Sequence, residues 1–213
     1  MMGQIYKNFI YVPIPKNGST TFTNFLADHG WKTIELLDFG DELSQYKLWG
    51  HITDPHTRHT RGIEEFLRDT NSDAIDDPLI QKICAGSMLD IHSCSIWILT
   101  RDIAKYPIHW IPLDAEITKW NQYPDPIEIL NGNDLTNDFF NENNIDLFIT
   151  DKDNKHITSS RKYDGLRNMI CEVKQKYVQE SLHLAKWYLE PDLILYSSAL
   201  DYYRNKYSNE TNF

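Results

Sequence analysis

Lys16, Ser19, Thr20 and Thr21 crowd around one glycine, Gly18, within the segment 10–25, IYVPIPKNGSTTFTNF. An ammonium, three hydroxyls and a flexible backbone position together make the chemistry of an anion site. Ile10, Tyr11, Val12 and Ile14 read as a short buried strand, Pro13 and Pro15 force an extended exit, and Gly18 lets the chain turn tightly. A helix beginning near Ser19, with Ser19 as its N-cap, turns unpaired N–H groups and the positive end of its dipole toward the loop. Lys16, Asn17, Gly18, Ser19, Thr20 and Thr21 are therefore the predicted phosphate- or sulfate-binding residues. The Walker A order GxxxxGK[ST] needs its lysine after the second glycine, whereas Lys16 precedes the glycine here. An ordinary nucleoside triphosphatase is thereby disfavoured.

A second segment, GHITDPHTRHTRGIEEFL at 50–67, follows at a suitable distance. The order Pro-Lys-x-Gly-Ser-Thr after a strand resembles the 5′-phosphosulfate loop of sulfotransferases that use PAPS (3′-phosphoadenosine 5′-phosphosulfate), most similar to a small, soluble, carbohydrate-type form. The 50–67 segment resembles that family's 3′-phosphate element, a strand, Arg-Asp-Pro, two residues, Arg, two residues and Ser before a helix. Asp54, Pro55 and Arg58 fall into register, while Thr53 stands where the first Arg is expected and Arg61 where the Ser is expected. The resemblance implies a 3′-phosphate held around Thr53, Arg58 and Arg61, with the two arginines at i and i+3 forming a fork on one helix face. Weaker echoes are Asp90-Ile91-His92 before the apolar run 96–99, Trp110-Ile111-Pro112-Leu113-Asp114 as the following strand, and His156-Ile157-Thr158-Ser159-Ser160 as a loop closing over the adenosine end. The last of these places Ser160 against the cofactor, with Thr158 where the family usually has Asn.

The function implied by this resemblance is transfer of a sulfuryl group from PAPS to a hydroxyl of a carbohydrate or small glycosylated acceptor, with PAP (adenosine 3′,5′-bisphosphate) as product. In such an in-line displacement Lys16 stabilises the departing oxygen. His92, before the apolar run, is the first candidate for the base; His51 is the second, and Glu35 or Asp38 a further choice. Two other classes stay open. A P-loop-like nucleotide kinase or hydrolase would need magnesium ligands, and no strand-terminal Asp evidently pairs with Ser19 or Thr20. A catalytically degenerate nucleotide-binding protein would fit the replacements at Thr53 and Arg61.

The elements that must position these residues are read from pattern. Strands are expected at 8–13, 32–36, 47–53, 96–99, 109–113 and 146–150, and helices at 19–29, 56–69 and 78–86. A polar loop is expected over 69–77. The Asn/Asp-rich stretch 131–144 reads as a loop or a loop with one helical turn, and a long amphipathic helix is expected over 163–189, ended by Pro191 and followed by an apolar segment at 192–196 and a short helix at 200–207. Strands alternating with helices predict a three-layer, P-loop-like α/β fold with a mainly parallel central sheet flanked by helices, and the ligand at the strand carboxyl ends. At 213 residues and 41% hydrophobic composition, one domain over 1–213 is expected.

The net charge of -10 argues against a nucleic-acid partner, so an anionic cofactor needs a local field from Lys16, Arg58, Arg61, Arg101, Arg161 and Lys162. No leader-like start and no window of roughly 20 apolar residues occurs, which predicts a soluble, cytoplasmic protein of bacterial or viral type. Cys84, Cys94 and Cys171 lack CxxC spacing and are expected as free thiols. His51, His56 and His59 lie close together without an HExxH pattern, and the calcium-like start at Asp151 lacks the required Gly and Glu, so no metal site is expected. Trp120 and Tyr123 are the candidate acceptor-facing aromatics.

Overall fold

A computed structural model of the chain describes residues 1–69, 90–119, 128–150 and 182–208, with the isolated positions 78, 82 and 172. The sheet begins with β1 (Met2–Tyr6), which turns through Lys7 and Asn8 into β2 (Phe9–Tyr11) and so pairs with it antiparallel. α1 (Ser19–Asp28) leads to β3 (Lys32–Glu35), which pairs antiparallel with β1. A kinked 3-10 segment, Leu36–Gln45, then delivers β4 (Lys47–Ile52) parallel to β2, and β5 (Ile108–Pro112) lies parallel to β4. The strand order is β3-β1-β2-β4-β5.

This corrects the expectation of a mainly parallel central sheet: the sheet is mixed, and two of its four pairings are antiparallel. The cause is β1, a strand that the sequence reading did not contain. A two-residue turn can only fold it back on β2, where it separates β2 from β3.

Side chains alternate across the sheet, and both faces are apolar. Phe9, Tyr11, Trp49 and Ile111 face one core, with Phe22 and Leu26 of α1 and with residues of two later helices. Ile10, Val12, Leu48, Ile52 and Trp110 face the other, against Leu36, Leu43, Ile96 and Ile103. The later helices are α2 (Pro55–Asp69), α3 (Ile96–Thr100), α4 (Gly132–Glu142) and α5 (Leu182–Ser208). A small antiparallel pair, β6 (Ile117–Lys119) and β7 (Glu128–Leu130), lies apart from the main sheet.

Further elements differ from expectation, the first three because a side chain changes the local outcome. The apolar run at 96–99 forms helix α3 rather than a strand, since Ser95 accepts from the Trp97 N–H and Asp192 of α5 accepts from the N–H groups of Ile96 and Trp97. The Asn/Asp-rich stretch forms helix α4, because Asn131 and Asp134 build a capping box and Leu135, Phe139 and Phe140 bury its face. Residues 146–150 form no strand; the Asn137 amide instead exchanges both of its hydrogen bonds with the Ile149 backbone, at 2.9 and 2.7 Å. Pro191 lies inside α5 rather than ending a helix, and the expected short helix at 200–207 is part of that same element. Most of the helices expected at 78–86 and 163–189, the 70–77 loop, Ser160, Arg161, Lys162, Trp120, Tyr123, Cys84 and Cys171 lie outside the described residues. No helix among the described residues is long and apolar enough to cross a membrane.

Candidate functional site

β2 gives way at Val12, whose N–H donates to the Trp49 carbonyl, to a turn closed by the Asn17 N–H on the Ile14 carbonyl at 3.1 Å. Lys16 has φ 67° and Gly18 φ 70°, with Asn17 between them on the ordinary side, so the sign of φ alternates through the loop. Such alternation tends to turn N–H groups toward one concave side, where those not used in the Asn17–Ile14 turn face a ligand. Gly18, rather than Ser19, is the N-cap of α1, and no side chain among the described residues caps this helix. A Cβ at Gly18 would lie 3.0 Å from Leu113 Cδ1, and the positive φ disfavours any L side chain there.

Helices α2 and α4 start near the same end of the parallel strands, and a side chain accepts from the first turn of each. Asp54 accepts from the Thr57 N–H at 2.8 Å, and Asn131 accepts from the Asn133 and Asp134 N–H groups. A Cβ on Gly132 would lie 2.5 Å from Leu113 backbone atoms, so α4 begins directly against the strand end that also covers Gly18. The N–H groups of a first helical turn have no acceptor inside their own helix. At α1 they face the loop that holds Lys16, with Thr20 exposed and Ser19 and Thr21 half-buried.

The loop is fastened from beneath. Asn17 is fully buried; its amide donates to the His51 carbonyl at 2.9 Å and accepts from Thr53 Oγ1 at 2.8 Å. Arg58, 1% exposed, donates from Nε to the Pro15 carbonyl at 3.1 Å and from Nη1 to the Cys94 carbonyl at 2.6 Å. The side chains of Asn17, Thr53 and Arg58 therefore build the loop from inside the protein instead of meeting a ligand. The expected Arg58–Arg61 fork is not made, because Arg58 points inward and Arg61 is exposed.

Lys16 reaches α2, where its ammonium pairs with the Glu65 carboxylate. An anion entering the loop must compete with that carboxylate. Glu65→Gln is expected to strengthen PAP binding about two- to fivefold by releasing a partly exposed ion pair of modest strength. Unchanged or weaker binding in isothermal calorimetry would show that Glu65 does not restrain Lys16.

The two candidate bases are placed differently. His51 is fully buried on β4, with Nδ1 3.3 Å from Tyr11 Oη, Nε2 3.1 Å from Thr136 Oγ1, and its ring against Phe22. Burial pushes its pKa down to about 3. This is a neutral core imidazole, closed off from an acceptor hydroxyl. His92 is half-buried in a turn organised by Asp90, whose Oδ2 accepts from the His92 and Ser93 N–H groups. Its Nδ1 lies 3.7 Å from Asp90 Oδ1. A Cβ on Gly62 would sit 2.4 Å from the His92 carbonyl oxygen, so the His92 backbone packs on α2 within one turn of Glu65, the partner of Lys16. Glu35 closes β3 in a pair with the N-terminal amine, and Asp38 is exposed.

The structure also brings together two carboxylates that the sequence reading names only within family-like segments, without a role of their own. Asp54 and Asp114 follow the adjacent parallel strands β4 and β5, and the Asp54 N–H donates to Asp114 Oδ2 at 2.8 Å. Tyr196 of α5 donates to Asp114 Oδ1 at 3.0 Å, and burial together with Asp114 pushes the phenol pKa well up. The available signal was positional: each Asp directly follows an apolar strand, the usual place for ligand-side residues of an α/β sheet.

No protein-family model matches the chain, and no curated protein or solved structure matches it either.

Proposed function

We propose that the chain binds PAPS at the 15–21 loop and transfers its sulfuryl group to a hydroxyl of a carbohydrate or small glycosylated acceptor. The observation that carries the reading is the start of α1: no described side chain caps it, it is entered through left-handed Lys16 and Gly18, and it lies at the carboxyl end of a parallel strand beside two helices whose first turns do have a side-chain acceptor. An N-terminus of this kind suits a phosphosulfate. Lys16 and the loop N–H groups oppose the charge that grows on the departing bridging oxygen as the acceptor oxygen bonds to sulfur. His92 takes the acceptor's proton, which leaves a sulfate ester and PAP. With Thr53 and Arg58 turned inward, Arg61 is the residue of that element left to meet the 3′-phosphate.

Asp54 and Asp114 favour a second reading, phosphoryl transfer assisted by magnesium. Magnesium is commonly held by one or two carboxylates plus the phosphates of its nucleotide. Calorimetric titration with PAP in chelator, set against ATP with magnesium, separates the two. PAP binding without metal, weakened about 10- to 100-fold in Lys16→Ala as expected for a charge-assisted contact, supports the first reading. ATP binding that requires magnesium, with none for PAP, supports the second. PAP binding with no transfer to any acceptor hydroxyl would mark a catalytically degenerate nucleotide-binding protein.

A further inference from the structure

Among the described residues Arg58 is anchored in parts of the chain far apart in sequence, at the Pro15 carbonyl in the loop, the Cys94 carbonyl before α3, and Asp192 of α5, whose Oδ2 lies 3.7 Å from Nη1. Asp192, itself buried, accepts from Ser95 Oγ at 2.9 Å, from the Ile96 N–H at 2.8 and 2.9 Å, and from the Trp97 N–H. Its carboxylate is thus fixed by the start of α3 and presented to the guanidinium. We propose that Asp192, acting through Arg58, is a positioning residue for the 15–18 loop.

A peptide unit is planar and trans, so the direction of a carbonyl fixes the opposite direction of the following N–H. With the Pro15 carbonyl turned to Arg58, the Lys16 N–H is turned away from it, in the first residue of the alternating loop. Lys16 at φ 67° carries backbone strain that its surroundings must maintain. A buried guanidinium keeps one orientation only while its charge is matched, and Asp192 presents a buried carboxylate to it. Asp192 therefore determines how well the loop is ordered before an anion arrives, and preorganised donors bind without first reorganising.

The proposal rests on the PAPS reading for what the loop holds, but not for how the loop is ordered. Its test compares Asp192→Asn, Arg58→Lys and Ser95→Ala in the full chain by amide hydrogen exchange at 16–18 and by PAP titration. Asp192→Asn keeps the side-chain size and removes the charge; Arg58→Lys keeps the charge and removes the fork. Both are expected to accelerate exchange at 16–18 and to weaken PAP binding about tenfold, the scale of one hydrogen bond to the anion lost. Ser95→Ala removes one donor to the same carboxylate and leaves the Ile96 and Trp97 N–H groups to hold it toward Arg58. It is expected to lower the thermal midpoint while leaving loop exchange and PAP binding as in the unsubstituted chain. Unchanged exchange in Asp192→Asn, or equal acceleration in Ser95→Ala, would overturn the proposal. So would faster exchange with undiminished PAP binding. A chain that binds no PAP at all defeats the cofactor reading alone, and the exchange comparison still decides the role of Asp192.

Discussion

Replacing Arg58 by alanine is expected to lower the unfolding free energy by about 3–5 kcal/mol, the usual consequence of removing one partner of a buried ion pair. The change leaves the Asp192 carboxylate buried without its cation and two carbonyls, of Pro15 and Cys94, without their donors. Burial already pushes the Asp192 pKa up, while Arg58 and the α3 N–H groups pull it back. Without Arg58 that balance tips further toward the neutral acid. Arg58→Ala combined with Asp192→Asn is expected to cost less than Arg58→Ala alone, because the amide keeps an acceptor for the α3 N–H groups and leaves no buried charge behind. Urea denaturation of the three proteins measures this directly. A loss below about 1 kcal/mol for Arg58→Ala would put the residue among ordinary surface charges and contradict its enclosure.

The loop at 15–21 was legible in the sequence because its signals are local. Proline before the turn, glycine within it and hydroxyls at the helix start each act over a few residues, and α1, α2, β3, β4 and β5 all form close to where pattern places them. Elements settled by distant partners were misread. The run 96–99 is β-branched and apolar, yet Asp192, almost a hundred positions away, caps it as a helix. At 131–144 the Asn and Asp residues that signal a loop are the capping residues of α4. β1 was missed because nothing in MGQIY alternates strongly, so its pairing with both β2 and β3 comes from the sheet.

Residue types named the site's chemistry without saying which way each side chain turns. Arg58 and Arg61 look equivalent at i and i+3, but one enters the core and the other faces solvent. Asn17 and Thr53, each named for a ligand, satisfy one another. Glu65 and Asp192 carry no motif at all. They matter because α2 and α5 bring a carboxylate to Lys16 and to Arg58, a relation that only the packed helices supply.

Acidification is expected to destabilise the fold through His51, and the hydrogen bonds around the ring say why. Thr136 Oγ1 donates to the Gly132 carbonyl at 2.7 Å, so it is an acceptor toward His51 Nε2–H. Nδ1 is then left to accept from the Tyr11 hydroxyl, whose own pKa burial pushes up, keeping it a donor. This is a neutral imidazole with both nitrogens satisfied. Protonating Nδ1 would set two donors against each other and place a charge beside Phe22 and Trp49. The folded pKa, about 3, lies below the unfolded value of 6.5, so the stabilising contribution is complete above pH 6.5 and is lost as pH falls from 6.5 toward 3. Within that window one proton costs roughly 1.4 kcal/mol per pH unit, or about 2 kcal/mol between pH 7 and pH 5. His109, lowered mainly by its burial, acts in the same direction. Asp192, whose pKa is raised, opposes both at the acid end. Comparing urea unfolding of the unsubstituted chain and His51→Gln at pH 7, 6 and 5 isolates the term as a difference in slope of about one proton. Equal slopes, or a His51 ring that titrates near pH 6.5 in the folded protein by NMR, would show the imidazole open to solvent and return it to the candidate bases.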